Sequence, residues 1–419
     1  MRLSLLPPAL SLIALVAACM PAGPARPVSE TAPEPVAVVM ESAVADAAPS
    51  VPGRAYAGGA RRGVLTAGDI DDVLNLDAFT RYVARTAPAL GLPKLGLGAP
   101  VLARLAGPGG DSAPGARYTL RRPGAAQPFH EGYAGPDGRI ADFPTVLGAG
   151  ALGQVELRVF SDDGQEVARR TLATGSRQTV VLPESQAWTP DFLDLVLVVD
   201  TTGSMADEIA FLQKELVGAT RAAARKAPGV SIRYGLVAYR DQGDDYVVKS
   251  YGFTGDGGTM AGWLRGLTAD GGGDYPEAAA AALRAGLGLD WRRGKGERLL
   301  IHVADAPPHD SDAGAYLRAA KSAAGEGVQI FTLGASGVAA ESEFLMRQAS
   351  AATGGRYLFL TDDSGVGNAH AEPTIPCYRV TRLSALLTSV LASELSGHRQ
   401  EPGGVQRQVG SPRAGVCAD

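Results

Sequence analysis

The run Phe192-Leu193-Asp194-Leu195-Val196-Leu197-Val198-Val199 is nearly all apolar and β-branched, and it stops at Asp200-Thr201-Thr202-Gly203-Ser204-Met205. Such a run suits a central parallel strand buried on both faces. A helical pattern begins at once, with Ile209, Leu212 and Leu216 on one side and Glu208 and Glu215 outward. The turn between them carries Asp200, Thr202 and Ser204 in alternation. A carboxylate and two hydroxyls at the edge of a buried sheet, without sulfur or imidazole, make a hard-cation site suited to magnesium.

These residues resemble the von Willebrand factor A domain, whose D-x-S-x-S turn holds the metal-ion-dependent adhesion site; this chain has D-x-T-x-S. Gly271-Gly272-Gly273-Asp274-Tyr275-Pro276-Glu277-Ala278 is similar to the family's glycine-rich loop, and Leu299-Leu300-Ile301-His302-Val303-Ala304-Asp305 to the strand whose final Asp completes the site. The resemblance implies metal ligands at Asp200, Thr202, Ser204, Asp274 and Asp305. It also implies bound Mg2+, with Mn2+ or Ca2+ as alternatives, and a protein partner whose acidic side chain fills an open coordination position. Most family members place Thr where this chain has Asp274, whereas a bacterial subgroup reads G-G-G-D-x-P-E-A followed by D-A-P-P-H, as here. Asp before Pro276 is equally a helix N-cap for the Ala-rich segment that follows, and both readings stand.

Downstream of Asp191 strands and helices alternate. Strands are expected at 192–199, 230–239, 246–253, 299–304, 328–333 and 356–360, and helices at 205–226, 259–267, 276–288, 313–325, 340–352 and 382–396. The pattern predicts an α/β domain over 190–397, with a Rossmann-like, doubly wound, mostly parallel sheet and an antiparallel edge from the strands at 230 and 246. Ligands belong at the carboxyl ends of the central strands, where Asp200 and Asp305 both fall. Short strands over 96–185, with turns at Pro136-Asp137-Gly138 and Asp162-Asp163-Gly164, predict a small antiparallel β-sandwich before it. Part of this segment resembles the carboxypeptidase regulatory-like β modules of secreted proteins. Residues 63–95 read as a capped helical segment from Val64 to Arg85. Its acids Asp69, Asp71, Asp72 and Asp77 lack the EF-hand glycine and terminal Glu, which favours solvated acids at a helix N-terminus over a calcium loop.

Arg2 and the apolar run Leu3–Ala18 form a signal segment too short and proline-broken to span a membrane. Its end, Val16-Ala17-Ala18-Cys19, resembles the bacterial lipobox, which implies a signal peptide over 1–19 and acylation of Cys19. Acyl chains anchor stably, each buried methylene adding roughly 0.8 kcal/mol. Met20 rather than Asp after Cys19 points to the outer membrane. Residues 20–62, rich in Pro, Ala, Glu and Ser, read as a disordered tether. Cys377 and Cys417 remain in the exported portion, and an oxidising compartment predicts their disulfide, with 398–419 as a C-terminal tail. The net charge of −5, with acids and bases interspersed, argues against a nucleic-acid partner.

The sequence offers three catalytic readings. Ser204 lacks the G-x-S-x-G setting of a nucleophile elbow. Gly294-Lys295 is followed by Gly296, so no P-loop is present. His302 and His309 with nearby acids would suit a hydrolytic metal site, against the alternative of a core histidine and a loop histidine. The sequence therefore predicts a non-enzymatic, lipid-anchored, cation-dependent binding protein of the bacterial envelope, with a metal-dependent hydrolase and a purely structural scaffold as rivals.

Overall fold

The computed structural model describes residues 64–185, 188–273, 275–335, 337–364 and 373–417. Cys19, the tether over 20–62 and Asp274 lie outside the described residues. In chain order the first elements are strand β1 (Thr66–Ile70) and helix α1 (Leu76–Leu90). Seven strands follow: β2 (Val101–Ala106), β3 (Arg117–Arg121), β4 (His130–Tyr133), β5 (Arg139–Asp142), β6 (Gln154–Phe160), β7 (Glu166–Ala173) and β8 (Arg177–Val181). The alternating part runs β9 (Phe192–Asp200), α2 (Ala206–Lys226), β10 (Ser231–Tyr239), β11 (Val248–Thr254), α3 (Gly257–Arg265), α4 (Ala279–Leu287), β12 (Gly296–Ala304) and α5 (Asp310–Glu326). It continues with β13 (Gln329–Gly334), α6 (Ala340–Ala352), β14 (Tyr357–Thr361), β15 (Tyr378–Arg382), α7 (Leu383–Ser396) and β16 (Arg407–Val409).

The main sheet has the order β11-β10-β9-β12-β13-β14-β1-β15-β16. Strands β10, β9, β12, β13 and β14 run parallel, and antiparallel pairs close both sides. Every residue of β9 is buried, as the composition of its apolar run requires. One face of the sheet packs through Leu195, Leu197 and Val199 against Ile209 and Leu216 of α2 and Leu387 and Leu391 of α7. The other packs through Val196, Val198 and Leu300 against α4, α5, α6 and α1. Asp194, the charge in the interior of β9, is fully buried and held at 2.7–2.9 Å by the Arg233 guanidinium and by Arg292 through its backbone N–H and Nε.

Residues 101–181 form two small sheets, β5-β2-β8 and β4-β3-β6-β7. Their strands pair antiparallel apart from β2 and β8, which run parallel. Leu105, Leu120, Val155, Leu157 and Val159 fill the space between them.

The helical reading of 64–85 is corrected at its start. Residues 66–70 form β1, which lies between β14 and β15, and the helix begins only at Leu76. Gly68 shows why the strand fits there: a Cβ on it would meet the Phe359 ring at 2.6 Å. The solvated reading of the nearby acids is corrected as well. Asp71 and Asp72 are 5% and 3% exposed. Arg139 and Arg399 bind Asp71 at 3.2 and 3.0 Å, and Arg356 binds Asp69 at 3.4 Å. Arg347 binds Asp72 through two nitrogens at 2.9 and 2.8 Å, and Glu343 at 2.8 Å.

The chain after α7 joins the same body. Strand β16 pairs with β15, and a disulfide links Cys377 to Cys417 with Cα atoms 5.4 Å apart. Asn75 accepts from the Cys417 amide at 2.8 Å and donates to the Gly415 carbonyl at 2.8 Å. The start of α1 and the end of the described chain are thus tied together.

The Arg347 triad gives a stability prediction. Removing one member of a buried ion network strands the other charges, at a typical cost of about 3–5 kcal/mol. Arg347→Ala is expected to lower unfolding stability by about that amount in a denaturant titration; a loss within about 0.5 kcal/mol, the range of ordinary surface changes, would show that the triad does not hold α1 to α6.

Candidate metal centre

Asp200 ends β9 and Asp305 follows the last residue of β12, so adjacent parallel strands deliver both carboxyls to the same edge of the sheet. Asp200 is fully buried and Asp305 is 4% exposed. The Asp200 Oδ1 accepts two bonds from Thr202, from the amide at 2.9 Å and the hydroxyl at 2.7 Å. The Thr202 hydroxyl lies 3.2 Å from the Ser204 hydroxyl. A short 3-10 turn at Gly203–Met205 leads from these residues into α2 and leaves Ser204 exposed while Thr202 stays buried. Asp200, Thr202 and Ser204 thus lie on one turn, with Asp305 at the end of the neighbouring strand.

The glycine loop closes over this turn. Gly203 donates to the Gly271 carbonyl at 3.0 Å, and Asp270 donates to the Thr201 carbonyl at 3.1 Å. Gly272 has φ +76°, and a Cβ there would stand 3.0 Å from Glu277 Oε1 and 3.1 Å from Thr202 Cβ. Only a residue without a side chain permits that approach in that conformation. Thr201 donates to the Tyr239 carbonyl at 2.8 Å, so the Tyr246 hydroxyl, 2.7 Å away, donates to Thr201.

Glu277 is the residue that sequence reasoning missed. Pro276-Glu277-Ala278-Ala279 reads as the first turn of an Ala-rich helix, where an acid is ordinary. In the structure α4 starts at Ala279, and Glu277 belongs to the loop, its amide donating to the Pro307 carbonyl at 2.9 Å. Its side chain is 3% exposed. Asp241 and Asp244 stand nearby: His309 Nε2 lies 2.7 Å from Asp241 Oδ1, and Asp244 Oδ2 accepts from the Gly272 and Asp241 amides at 3.0 Å each. Tyr275, 49% exposed, places its hydroxyl 3.3 Å from the Asp305 carbonyl and 3.1 Å from the Gly337 carbonyl, which fixes the ring at the rim.

The electrostatics of this group are one-sided. Burial, then the Asp305 charge, pushes the Asp200 carboxyl up to about 7, against the opposing effect of the Thr202 bonds. Burial, then Asp200, Asp241, Asp244 and Asp305, pushes Glu277 from 4.5 up to about 9. Asp200 Oδ2 and Glu277 Oε2 are buried and receive no hydrogen bond. A buried acceptor left unsatisfied costs about 1–3 kcal/mol, and more when charged. Hard oxygen donors with surplus negative charge and donor-less oxygens fit a small divalent cation. Among the described residues, no three acid, imidazole or thiolate side chains form a cage by themselves, so any ion here needs the hydroxyls of the turn or further ligands.

The two histidines stand apart in role. His302 is 1% exposed and sits between Tyr239 and Tyr316, each hydroxyl 3.0 Å from a ring nitrogen. His309 is a loop residue against Asp241.

Residues 194–364 match the family model of the von Willebrand factor A domain. A curated relative, the "Putative ariadne-like RING finger protein R811" of Acanthamoeba polyphaga mimivirus, is 33% identical over 117 residues, covering 28% of this chain. The match spans only 11% of that protein's length. Among solved structures, the conserved hypothetical protein BatB of Bacteroides thetaiotaomicron aligns with 16% identity and TM-score 0.31, over 42% of this chain and 91% of that one. The pilus adhesin SpaC of Lactobacillus rhamnosus GG aligns with 14% identity and TM-score 0.33, over 48% of this chain and 30% of that one. Similarity at that level says nothing about function.

The raised Glu277 pKa sets a pH dependence in cation-free protein. A carboxyl that binds its proton more tightly when folded contributes stability that is fully present below about 4.5 and is lost as pH rises toward about 9. In chelator, the wild-type melting temperature is expected to fall over that window, and Glu277→Gln to fall less and to melt higher at pH 9. Parallel profiles for the two proteins would contradict this account of Glu277.

Proposed function

We propose, starting from a von Willebrand factor A domain at residues 194–364, that this chain is a cation-dependent protein-binding module held at a bacterial membrane. The observation that carries the reading is the fully buried Asp200, whose second oxygen has no donor although Asp305 stands beside it. Asp200, Thr202, Ser204 and Asp305 are the residues that would hold the ion, with Asp274 added on the motif alone. Mg2+ is the ion of first choice, and Mn2+ or Ca2+ have the same ligand chemistry. When bound, the ion supplies a positive charge at the sheet edge that attracts an acidic side chain of a protein partner.

The chain's own residues shape that encounter. Thr202 takes up one oxygen of Asp200 and leaves the other without a hydrogen bond. Its hydroxyl and that of Ser204 bring ligands without adding negative charge. Tyr275 offers an exposed ring whose hydroxyl is tied down, a rigid contact surface beside the ion position. A hydrolase is the weaker reading, because His302 is sealed between two tyrosines and has no route to a substrate. The A-domain match supports interaction rather than catalysis.

Membrane attachment rests on Val16-Ala17-Ala18-Cys19, and places the protein in the cell envelope by a lipid on Cys19, at the outer membrane by the Met20 criterion. Cys19→Ser is expected to leave the membrane fraction or to keep an uncleaved signal. Equal membrane partitioning of mutant and wild type, with no acyl mass on Cys19, would rule the anchor out.

For the site, Asp200→Ala and Ser204→Ala are expected to abolish heat on calorimetric titration with Mg2+ while the circular dichroism spectrum stays unchanged, since Asp200 is the last residue of its strand and Ser204 is exposed on the turn that follows. Undiminished Mg2+ affinity in Asp200→Ala would remove the ion from this reading and the acidic-partner mechanism with it.

A further inference from the structure

Asp305 follows the last residue of β12; at the other end of that strand, where β12 and β13 begin, the main sheet faces β4 and β5 across a cavity of about 490 Å³. Small-molecule sites typically enclose about 300–1,000 Å³ and favour the meeting of two packed units, as here. The sheet wall carries Glu297 and Gln329, and the facing wall carries Tyr118, His130 and Asp142. The cation-binding reading uses none of these residues.

Leu299 pairs in register with Gln329, so Glu297, two residues before Leu299, projects from the same face of the sheet as Gln329. Gln329 Nε2 donates to Glu394 Oε2 of α7 at 3.3 Å, while its Oε1 is buried and receives no hydrogen bond. Glu297 is mostly buried and has no hydrogen bond among the described residues; burial, then the Glu394 charge, pushes its carboxyl well above the usual carboxylate range. On the facing wall, Asp142 Oδ2 accepts from the Tyr118 hydroxyl at 2.6 Å. Its Oδ1 stands 3.8 Å from His130 Nε2, too far for a hydrogen bond. Gly132 keeps that corner open, since a Cβ on it would stand 2.9 Å from both His130 Nε2 and the Tyr118 hydroxyl. The arginines that reach the cavity are engaged or outside it: Arg139 binds Asp71, Arg298 donates to the backbone carbonyls of Arg292, Gly294 and Gly296, and Arg293 is exposed.

We propose that this cavity binds a small organic diamine, with one ammonium group held by Glu297 and Gln329 Oε1 and the other by Asp142. An ammonium group brings three donors and no acceptor. That matches walls whose unmet groups, the Glu297 carboxyl, Gln329 Oε1 and Asp142 Oδ1, are acceptors. An anion would meet a carboxyl on either side, and a neutral diol would leave their charge without a counterpart. In the empty cavity Glu297 keeps its proton; a cation beside it favours the charged form, so that proton passes to solvent as the ammonium enters. The site is independent of the cation position at the opposite end of the sheet.

Calorimetric titration of the full chain with 1,4-diaminobutane tests it, with Mg2+ in excess to screen loose attraction of cations to acidic surface. A single class of site is expected, and Glu297→Gln and Asp142→Asn are each expected to weaken binding by about 10-fold or more, as the loss of a hydrogen bond to a charged group does. Succinate and 1,4-butanediol are expected to give no heat. No heat with the diamine overturns the proposal, as does an affinity that either substitution leaves unchanged. Binding of succinate or of the diol at the diamine's affinity overturns it too, because the walls would then not select positive charge. Butylamine that binds as tightly as the diamine would show only one wall engaged and defeat the two-walled site. Gln and Asn keep the size of the side chains they replace, and if one variant fails to fold the other carries the test.

Discussion

A carboxylate at the end of a strand buried on both faces has lost its water and has few donors to replace it, and the geometry around Asp200 follows from that. The parallel sheet brings Asp305 to the same edge, which adds like charge to desolvation. Thr202 offsets part of the penalty with two bonds to one oxygen. The remaining oxygen is left to whatever occupies the edge. A sheet able to place two carboxylates so closely must be held rigidly beneath them, and the fully buried β9, packed on both faces, supplies that rigidity.

What the sequence made legible divides by range. The strand, turn and helix around Asp200 were readable because apolar continuity, small turn residues and helical spacing are local signals, and Asp305 was readable because it ends a second apolar run. Strand β1 was not. Thr66-Ala67-Gly68-Asp69-Ile70 has no strong period, and its conformation is decided by β14 and β15 on either side, which lie far away in sequence. Asp71 and Asp72 misled for the same reason. Acids near a helix start are normally solvated, and the arginines that bury them come from positions 139, 347 and 399. Glu277 was hidden by a good local alternative, since an acid after proline at the start of an alanine-rich stretch already has a role at a helix N-terminus.

The same long-range ties make the segments flanking the alternating part belong to it. Strand β1 enters the main sheet from the amino-terminal side, and β16 extends it from the carboxyl-terminal side. Asn75 bonds to the Gly415 carbonyl and to the amide of the disulfide-linked Cys417, and Arg399 reaches Asp71. A contact between the ends of a long chain costs loop-closure entropy, which grows only slowly with length. Several charge-assisted and covalent ties acting together offset it, and β1, β15 and β16 lie at one end of a sheet whose candidate site is formed by other strands.

The charge balance at that site bears on the kind of partner it accepts. In the proposed site Asp200 and Asp305 would offset much of a divalent cation's charge, and the hydroxyls of Thr202 and Ser204 add nothing to the sum. Glu277 is the variable quantity. Its carboxyl is held near 9 by burial and by the surrounding acids, so at neutral pH without an ion it is protonated and contributes no charge. A bound cation draws it toward ionisation, because opposite charge favours the charged form. In the proposed site Glu277 and the acid of a partner would compete for the same positive charge: where Glu277 keeps its proton, the ion's remaining charge is left to the partner's carboxylate, and where Glu277 ionises, the partner must overcome an added negative charge. In that reading, the residue that a local reading assigns to the start of a helix would set how strongly the proposed ion draws an acidic ligand.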